Sequence, residues 1–517
     1  MRTQRLVLSI LLGALSGSVA SAGGFEFPEH GARAMGRGGA WTVGVDDLTA
    51  LALNPAGLLR LDGTHLYLSD NLMWHDFAFT RAPSGMDLTT QLTEFGGNAA
   101  KNVAPTYPGD PLETIRPKNK LFPLGAMLGL GSDFGLKNWH FALGVYGPNA
   151  FGKVELPQLG GQRYMLTSMD MLLLYYSLSF AYGEKEKWAI GATFQIADMP
   201  KSEFGLVVHG IPSGGVVPYY STFDLLSTLD LKFHSAFSMI WGGWWRPIPQ
   251  FEIGASARLV PVFMKPKGKV KLASVEGITL VGNKDAEPVL ENGDAEIALS
   301  IPMDARLGAR YRHLAPDGHE VFDLELNFVY EAWSAIKAFD VKLTGKAGVK
   351  TPNAQDPSSP FYPVPITDLT NISLDKRWRD TYSVRLGGTW NAVPNWFSWS
   401  LGGLFESGAI PPQYTNLDFL SWDRFGVGTG FRFTHWGVDL SIAYMFIHQL
   451  TREVAEEDGK VFQQRPFATC PKYCDGLTGV PANAGKFESQ VHQLQISLQL
   501  HFDEWVKKKP VDAAPVK

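Results

Sequence analysis

The strongest constraint on this fold is an alternation of apolar and polar side chains with a period of two. The segment 321–329 places phenylalanine and leucine on one face of an extended chain and aspartate, glutamate and asparagine on the other. The segment 491–502 repeats the pattern with leucine and isoleucine opposed mainly by glutamine. Each run is close to the roughly 9 to 11 residues that a tilted strand needs to cross a bilayer. The pattern predicts β-strands with one lipid face and one polar face.

Fourteen such segments can be marked, and the connections between them alternate in length. Short turns follow the even-numbered segments, and longer polar connections such as 82–121 and 450–487 follow odd-numbered ones. This alternation is typical of an outer-membrane barrel with tight periplasmic turns and long external loops. The predicted fold class is all-β, a 14-stranded antiparallel transmembrane β-barrel. The predicted strands are 63–81, 122–134, 137–150, 168–183, 186–200, 232–247, 249–262, 295–313, 319–332, 378–393, 395–409, 421–435, 436–449 and 488–503.

Tryptophans beside the short turns predict the aromatic girdle of the periplasmic interface. Six are placed in this way: Trp139, Trp188, Trp245, Trp390, Trp396 and Trp436. A mean hydropathy of −0.06 is compatible with a barrel, because lumen and lipid faces average out. The net charge of −5 argues against a nucleic-acid partner.

The two ends of the chain carry export and tail features. Basic residues, an apolar run and Ala20-Ser21-Ala22 predict a signal peptide over 1–22, and hence a Gram-negative outer-membrane destination for a barrel. The barrel itself is predicted over 63–503. A charged, proline-containing tail, 504–517, follows and is expected to lack regular structure in the periplasm.

The two cysteines, Cys470 and Cys474, lie close together in one long connection. Export favours a disulfide between them, with free thiols as the alternative. A metal site would need two further ligands, and no candidates lie nearby in the sequence. We therefore expect neither a metal nor another cofactor.

The segment 23–62 is compact and turn-rich, unlike the rest of the chain. Asp46-Asp47 can cap a short helix, and Asn54-Pro55-Ala56-Gly57 has the residue chemistry of a turn. We predict that this segment is a hatch that plugs the barrel.

The Asn54-Pro55-Ala56 motif resembles the hatch of the FadL/OmpP1/TodX channels for long-chain fatty acids and other hydrophobic molecules. The segments 144–149, 408–414 and 423–446 are similar to strand regions of the same family. The resemblance implies a monomeric channel for diffusive uptake, with lateral exit of the substrate into the membrane. Its implied partners are a hydrophobic substrate, outer-membrane lipid and lipopolysaccharide, and the barrel assembly machinery.

The resemblance also implies roles for individual residues. Phe25 would bind substrate, and the Asn-Pro-Ala motif would hold the plug. Gly147 and Pro148 would kink the third strand and open a side window, although they could instead begin an external loop. Lys201 could meet a substrate carboxylate or be a solvated loop lysine. Asp198 stands near the position where a basic residue is expected, so fatty acids, aromatic hydrocarbons and alkanes all stay open as substrates.

Two other functions fit parts of the sequence. A hydrophilic porin would use opposed charges across an open lumen, which Arg306, Arg310, Arg312 and Glu325 could supply in part. An outer-membrane enzyme would need a gathered catalytic set, for which His234-Ser235 and His492 are the nearest fragments. The hatch argues against the first function and the isolation of the fragments argues against the second.

Overall fold

The computed structural model describes residues 30–82, 113–148, 152–209, 224–277, 279–280, 284–350, 366–464, 466 and 481–507. The signal peptide, Phe25, Cys470 and Cys474 lie outside these residues. The strands in chain order are β1 Thr64–Arg81, β2 Leu121–Ser132, β3 Trp139–Tyr146, β4 Lys153–Glu155, β5 Ser168–Glu184, β6 Trp188–His209, β7 Asp224–Ile248, β8 Phe251–Val260, β9 Val262–Met264, β10 Lys267–Ser274, β11 Glu287–Ile297, β12 Leu299–Ile301, β13 Asp304–Leu314, β14 Glu320–Glu331, β15 Ala338–Lys350, β16 Thr367–Asp368, β17 Ile372–Asp375, β18 Thr381–Val393, β19 Phe397–Glu406, β20 Arg424–His435, β21 Val438–Val454 and β22 Gly485–His501.

Fourteen of these strands form a closed antiparallel barrel. Its order is β1-β2-β3-β5-β6-β7-β8-β13-β14-β18-β19-β20-β21-β22. Pairing of β22 with β1, from His65↔His501 to Arg81↔Gly485, closes the circle. Closure leaves no exposed sheet edge in the membrane. The predicted fold class is confirmed.

The lipid face is apolar, as the period-two pattern predicts. Leu324, Leu326 and Phe328 are 42–52% exposed, whereas Glu325 and Asn327 between them are fully buried inside the barrel. All six tryptophans predicted beside the short turns are exposed on the surface. None of the helices in the described residues is long and apolar enough to cross a membrane.

The predicted strand 295–313 is wrong as one continuous element. Residues up to Ile297 belong to β11, which pairs with β15, and the barrel strand β13 begins only at Asp304. Pro302 lies between the two parts and has no N–H for a ladder bond, so it accounts for the break.

An extracellular sheet extends the barrel wall on one side. The upper part of β7 pairs with β10, β10 pairs with β11, and β11 pairs with β15. The long connections between the predicted strands 249–262 and 295–313, and between 319–332 and 378–393, therefore contain strands. Val270, Ile297 and Val341 are buried on one face of this sheet, while charged residues alternate with them on the other.

The N-terminal segment fills the lower half of the barrel. It contains two short α-helices, Ala32–Gly36 and Ala50–Leu53, and a 3₁₀-helix, Pro55–Arg60. Short 3₁₀-helices also occur at Trp333–Ala335 and Pro412–Tyr414.

The expectation of an irregular tail is wrong at its start. Phe502–Lys507 forms a helix directly after β22. The indole Nε1 of Trp505 donates to the carbonyl oxygen of Trp436 at 2.6 Å. The Asp503 carboxylate accepts from the backbone N–H of Thr64, so the helix is fixed to the periplasmic rim.

Candidate functional site

Asn54 joins the hatch to the barrel wall. Its side chain is fully buried, and Nδ2 donates to the carbonyl oxygens of Thr42 at 2.8 Å and Gly243 at 3.3 Å. Its Oδ1 accepts from the backbone N–H of Ala56 at 3.2 Å. One amide therefore closes the turn of the hatch and connects that turn to β7. Pro55 has no N–H that would need a partner at this buried position.

Glycines in the wall make room for the motif. A Cβ at Gly242 would lie 2.0 Å from Oδ1 of Asn54, and one at Gly191 would lie 2.6 Å from the carbonyl carbon of Pro55. Both distances are too short for real side chains. Between these contacts, Nε1 of Trp244 donates to the alanine carbonyl of the motif at 3.0 Å. The hatch backbone therefore lies directly on the wall.

On the opposite side of the hatch, its backbone also lies directly against glycines of the wall. The carbonyl oxygen of Arg37 would lie 2.2 Å from a Cβ at Gly387 and 2.1 Å from one at Gly402. The carbonyl oxygen of Met35 would lie 2.2 Å from a Cβ at Gly428. Only glycine permits so close an approach of two backbones.

Buried carboxylates of the barrel wall also bind the hatch, at the level of these glycines. Arg37 donates to both oxygens of Asp323 at 2.7 and 2.8 Å and to the hydroxyl of Thr389 at 2.6 Å. The Glu325 carboxylate accepts from three consecutive hatch N–H groups, 42–44, at 2.7 to 2.9 Å. Such charge-assisted bonds are about twice as strong as neutral ones.

A second cluster continues this network towards the periplasm. Arg60 donates to both oxygens of Glu252 at 3.2 and 3.1 Å. The Arg310 guanidinium donates to Glu252 at 3.2 Å and to Asp323 at 2.7 Å, and so links these two carboxylates. Two of the four charges considered for a porin ladder, Arg310 and Glu325, instead belong to the network that binds the hatch.

Below the hatch lies a polar cavity of about 470 Å³. Its lining includes Arg33, Arg60, Arg312 and Trp396, near the short turns of the barrel. Because the hatch closes its upper side, this cavity is a vestibule on the periplasmic face.

Above the hatch many of the buried side chains are apolar and several are methionines, although polar groups such as His75, Gln195 and Glu406 are buried there as well. Flexible, polarisable methionine side chains adapt to ligands of different shape. The buried residues here include Met73, Phe77, Met127, Met169, Leu173, Met199, Phe204, Leu229, Met264, Met445 and Phe487.

His30, at the start of the described hatch, lies in this interior. Its ring contacts Tyr146 edge-on at 4.9 Å, and Tyr146 contacts Tyr175 at 5.4 Å. Burial, together with the nearby guanidinium groups of Arg306 and Arg258, lowers the pKa of His30 from 6.5 to about 3. His30 is therefore neutral at physiological pH.

Two basic side chains enter the same region from the wall. Arg258 and Arg306 approach the Asp304 carboxylate at 3.6 and 3.7 Å, and the Arg258 guanidinium lies 5.5 Å from the Tyr175 ring centre. Sequence reasoning missed Arg258. The only available signal was an arginine at an inward position of a predicted strand.

The described pairing of β3 ends beside Gly147 and Pro148, and residues 149–151 lie outside the described part of the chain. β3 ends at Tyr146, and the short strand β4 resumes beside β5 only at Lys153. On the β2 side, the last described bond below this level joins Gly147 N to Ala126 O at 3.4 Å. The next described bond above it joins the segment before β2 to β4. We call the stretch between these two levels the wall gap.

Neighbouring strands are irregular at the same level. The β5–β6 ladder shifts register between Leu172 and Leu174, and the β6–β7 ladder shifts between Met199 and Ser202, around Pro200. In β7, Ser235 has a φ of 76°. Bulges bend strands and end regular pairing. The wall gap therefore lies within a wider irregular zone.

Inward-folded connections cover the external side. The segment 407–422 is mostly buried, and Arg452 donates to Ile410 O at 2.7 Å to hold it. The segment 156–167 is likewise buried, and the Asp224 carboxylate accepts from the Tyr164 hydroxyl at 2.7 Å. The apolar interior thus has a hatch below and a cap above.

Other candidate residues lie away from the interior. The Lys201 ammonium binds Asp170 at 2.5 Å, and the lysine side chain is 52% exposed. His234 is exposed on β7 and binds Asp198, while His492 lies on β22, six strands away around the barrel. The histidine fragments considered for an enzyme are therefore not gathered into one site.

Similar solved structures share this architecture. A Pseudomonas aeruginosa FadL homologue is 14% identical, covers 93% of this chain and 100% of its own, and has a TM-score of 0.64. The Pseudomonas putida toluene transporter TodX is 13% identical, with coverage of 92% and 98% and a TM-score of 0.59. The Ralstonia pickettii toluene transporter TbuX is 12% identical, with coverage of 91% and 98% and a TM-score of 0.56. At these identities the likeness shows the fold. A search of curated proteins gave no match.

A closed barrel with an apolar outer face and a docked internal hatch defines an outer-membrane channel protein. The family model for the outer membrane protein transport protein family (OMPP1/FadL/TodX) matches residues 13–469. The chain belongs to this family, which consists of transport channels.

Proposed function

We propose that this protein carries hydrophobic molecules across the outer membrane by diffusion, with the hatch as the lower seal and the wall gap as the exit into lipid. The observation that supports this most directly is the irregular wall beside Gly147 and Pro148, where the described β3–β5 ladder ends and the β5–β6 and β6–β7 ladders shift register. It borders an apolar interior, directly above a hatch fixed by buried polar contacts. An apolar solute gains about 0.8 kcal/mol for each methylene that leaves water, so a path into lipid needs no energy source.

The substrate class follows from the relatives and from the interior. The solved relatives include toluene transporters, a monoaromatic hydrocarbon channel and a FadL homologue. We infer that this chain takes up aromatic hydrocarbons or fatty acids. The methionine-rich interior suits either class of substrate. Arg258 and Arg306 could bind the carboxylate of a fatty acid beside Tyr146 and Tyr175.

Uptake by cells tests the function. Cells that lack their own hydrophobic channel and express this protein would receive labelled oleate, toluene or a small sugar. Entry of oleate or toluene without the sugar supports the proposal and identifies the class. Entry of the sugar alone would support the porin alternative instead.

The route can be tested separately with a photoreactive fatty acid or hydrocarbon bearing a diazirine. Crosslinks should concentrate around the wall gap, on the segments 121–127 and 172–175. Leu130 on β2 and Leu143 on β3, which pair with each other below the wall gap, are internal controls. Crosslinks in the periplasmic vestibule, at Trp41 or Trp396, would contradict lateral exit.

A further inference from the structure

A group of charged side chains lies on the outer surface above the lipid-facing part of one wall. On β10, Lys267, Lys269 and Lys271 point outward, while Val270 between them is 6% exposed. β11 repeats the pattern with acidic residues. We call this surface the charged wall; its members are Asp170, Lys201, Glu203, Asp230, Lys232, Lys267, Lys269, Lys271, Asp294, Glu296 and Lys342.

The charged wall begins where the apolar surface of the same strands ends. On β7, Trp241 and Phe237 are exposed apolar residues, and His234, Lys232 and Asp230 follow towards the extracellular end. The bulge at Ser235 keeps these polar side chains outward. The charged wall therefore lies at the level of the polar groups of the outer leaflet.

The lysines of the charged wall are accessible although they have partners. Lys267 binds Glu296 and Lys271 binds Asp230, each at 2.8 Å, and these lysine side chains are 71% and 62% exposed. Exposed ion pairs of this kind contribute about 0–1 kcal/mol or less. An ammonium group can exchange such a partner for a phosphate oxygen, with which it also forms a charge-assisted bond.

Lysines and carboxylates also alternate across the strands. Lys267 is paired in register with Glu296, and Glu296 with Lys342. A surface of this kind offers ammonium groups to phosphates and carboxylates to divalent cations. Phosphates bridged by divalent cations are the chemistry of lipopolysaccharide in the outer leaflet.

We propose that the charged wall binds lipopolysaccharide, with its lysines on the phosphates and its carboxylates sharing the bridging cations. This interaction would fix one side of the barrel in the outer leaflet. It is independent of uptake through the interior, because the apolar residues of the same sheet separate the charged wall from the lumen.

The test is the amount of lipopolysaccharide that stays on the full-length protein during detergent purification. The variant Lys267→Gln/Lys269→Gln/Lys271→Gln should retain at least about threefold less per barrel than the unchanged protein. The control Lys137→Gln/Lys187→Gln alters exposed lysines at the periplasmic turns, where Lys187 is 65% exposed, and should retain the normal amount. Toluene or oleate uptake should be the same in all three proteins.

Equal retention in the triple variant and the control would overturn the proposal. So would a native mass spectrum in which a second barrel, rather than lipopolysaccharide, leaves when the lysines are changed. Heat-dependent gel migration verifies folding. If the triple variant does not fold, Lys342→Gln, at the edge of the charged wall, provides the same comparison.

Discussion

Adding one methyl group at Gly242 should detach the hatch from the wall. The new Cβ would lie 2.0 Å from Oδ1 of Asn54 and 2.9 Å from Cδ of Pro55, so the motif has to move. Movement breaks the Asn54 bond to Gly243 and the Trp244 bond to Ala56. Buried hydrogen bonds of this kind contribute about 1 kcal/mol each, and the steric overlap adds to the loss. We expect Gly242→Ala to weaken docking by about 2–4 kcal/mol, which raises the undocked fraction about 30- to 1000-fold.

The neighbouring glycine provides the matched control. A Cβ at Gly243 would meet its nearest atom, the carbonyl oxygen of Ala189, at 3.4 Å, which is an ordinary contact. Single-channel conductance and sugar flux in reconstituted bilayers should rise for Gly242→Ala and stay unchanged for Gly243→Ala. Heat-dependent gel migration shows whether each barrel has closed. Equal, low conductance in two folded variants would refute the idea that the glycine contact holds the hatch. Trp244→Phe, which removes one hydrogen bond without adding volume, should give a smaller rise.

Three further predictions concern the hatch and the interior. Arg37→Met leaves the buried Asp323 carboxylate without its bidentate partner and should cost about 3–5 kcal/mol of docking, measured as faster proteolysis of the N-terminal segment; equal proteolysis would contradict the role of this pair. His30 is neutral when buried and binds a proton more readily when released. Docking should therefore be independent of pH above about 6.5, and it should weaken by about 1.4 kcal/mol per pH unit as the pH falls towards 3. In titrations that measure conductance against pH, the variant His30→Asn should show a smaller dependence. Arg258→Gln should lower oleate uptake by about tenfold and leave toluene uptake unchanged; equal losses for both would show a structural role only.

The barrel could be predicted because its pattern is local. A strand that faces lipid on one side and the lumen on the other must alternate at a period of two, as 321–329 and 491–502 do. The extracellular strands were missed because β10 has lysines on its outer face rather than apolar residues. The segment 407–422 was also not recognised as an inward cap. Its apolar residues carry no signal that separates a strand end from a buried connection.

The contacts of the hatch could not be predicted, because they depend on distant pairing. The turn at Asn54 was predicted from residue chemistry, and its role in holding the plug from the family resemblance. Its bond to Gly243, however, joins residues far apart in the chain, as does the bond between Arg37 and Asp323. The charges considered for an open pore show the same limit. Arg310 and Glu325 were correctly placed in the lumen, but only the fold shows that the hatch occupies the space between them.

The glycine contact between hatch and wall also restricts how the barrel can be assembled. The hatch carbonyls lie where Cβ atoms of the wall would otherwise be, so there is no clearance for the hatch to slide past a finished, closed cylinder. Without the hatch, Asp323 and Glu252 would keep Arg310 but lose Arg37 and Arg60, and Glu325 would lose the hatch N–H groups that it binds. This close fit favours an order of assembly in which the N-terminal segment is in place before β22 pairs with β1.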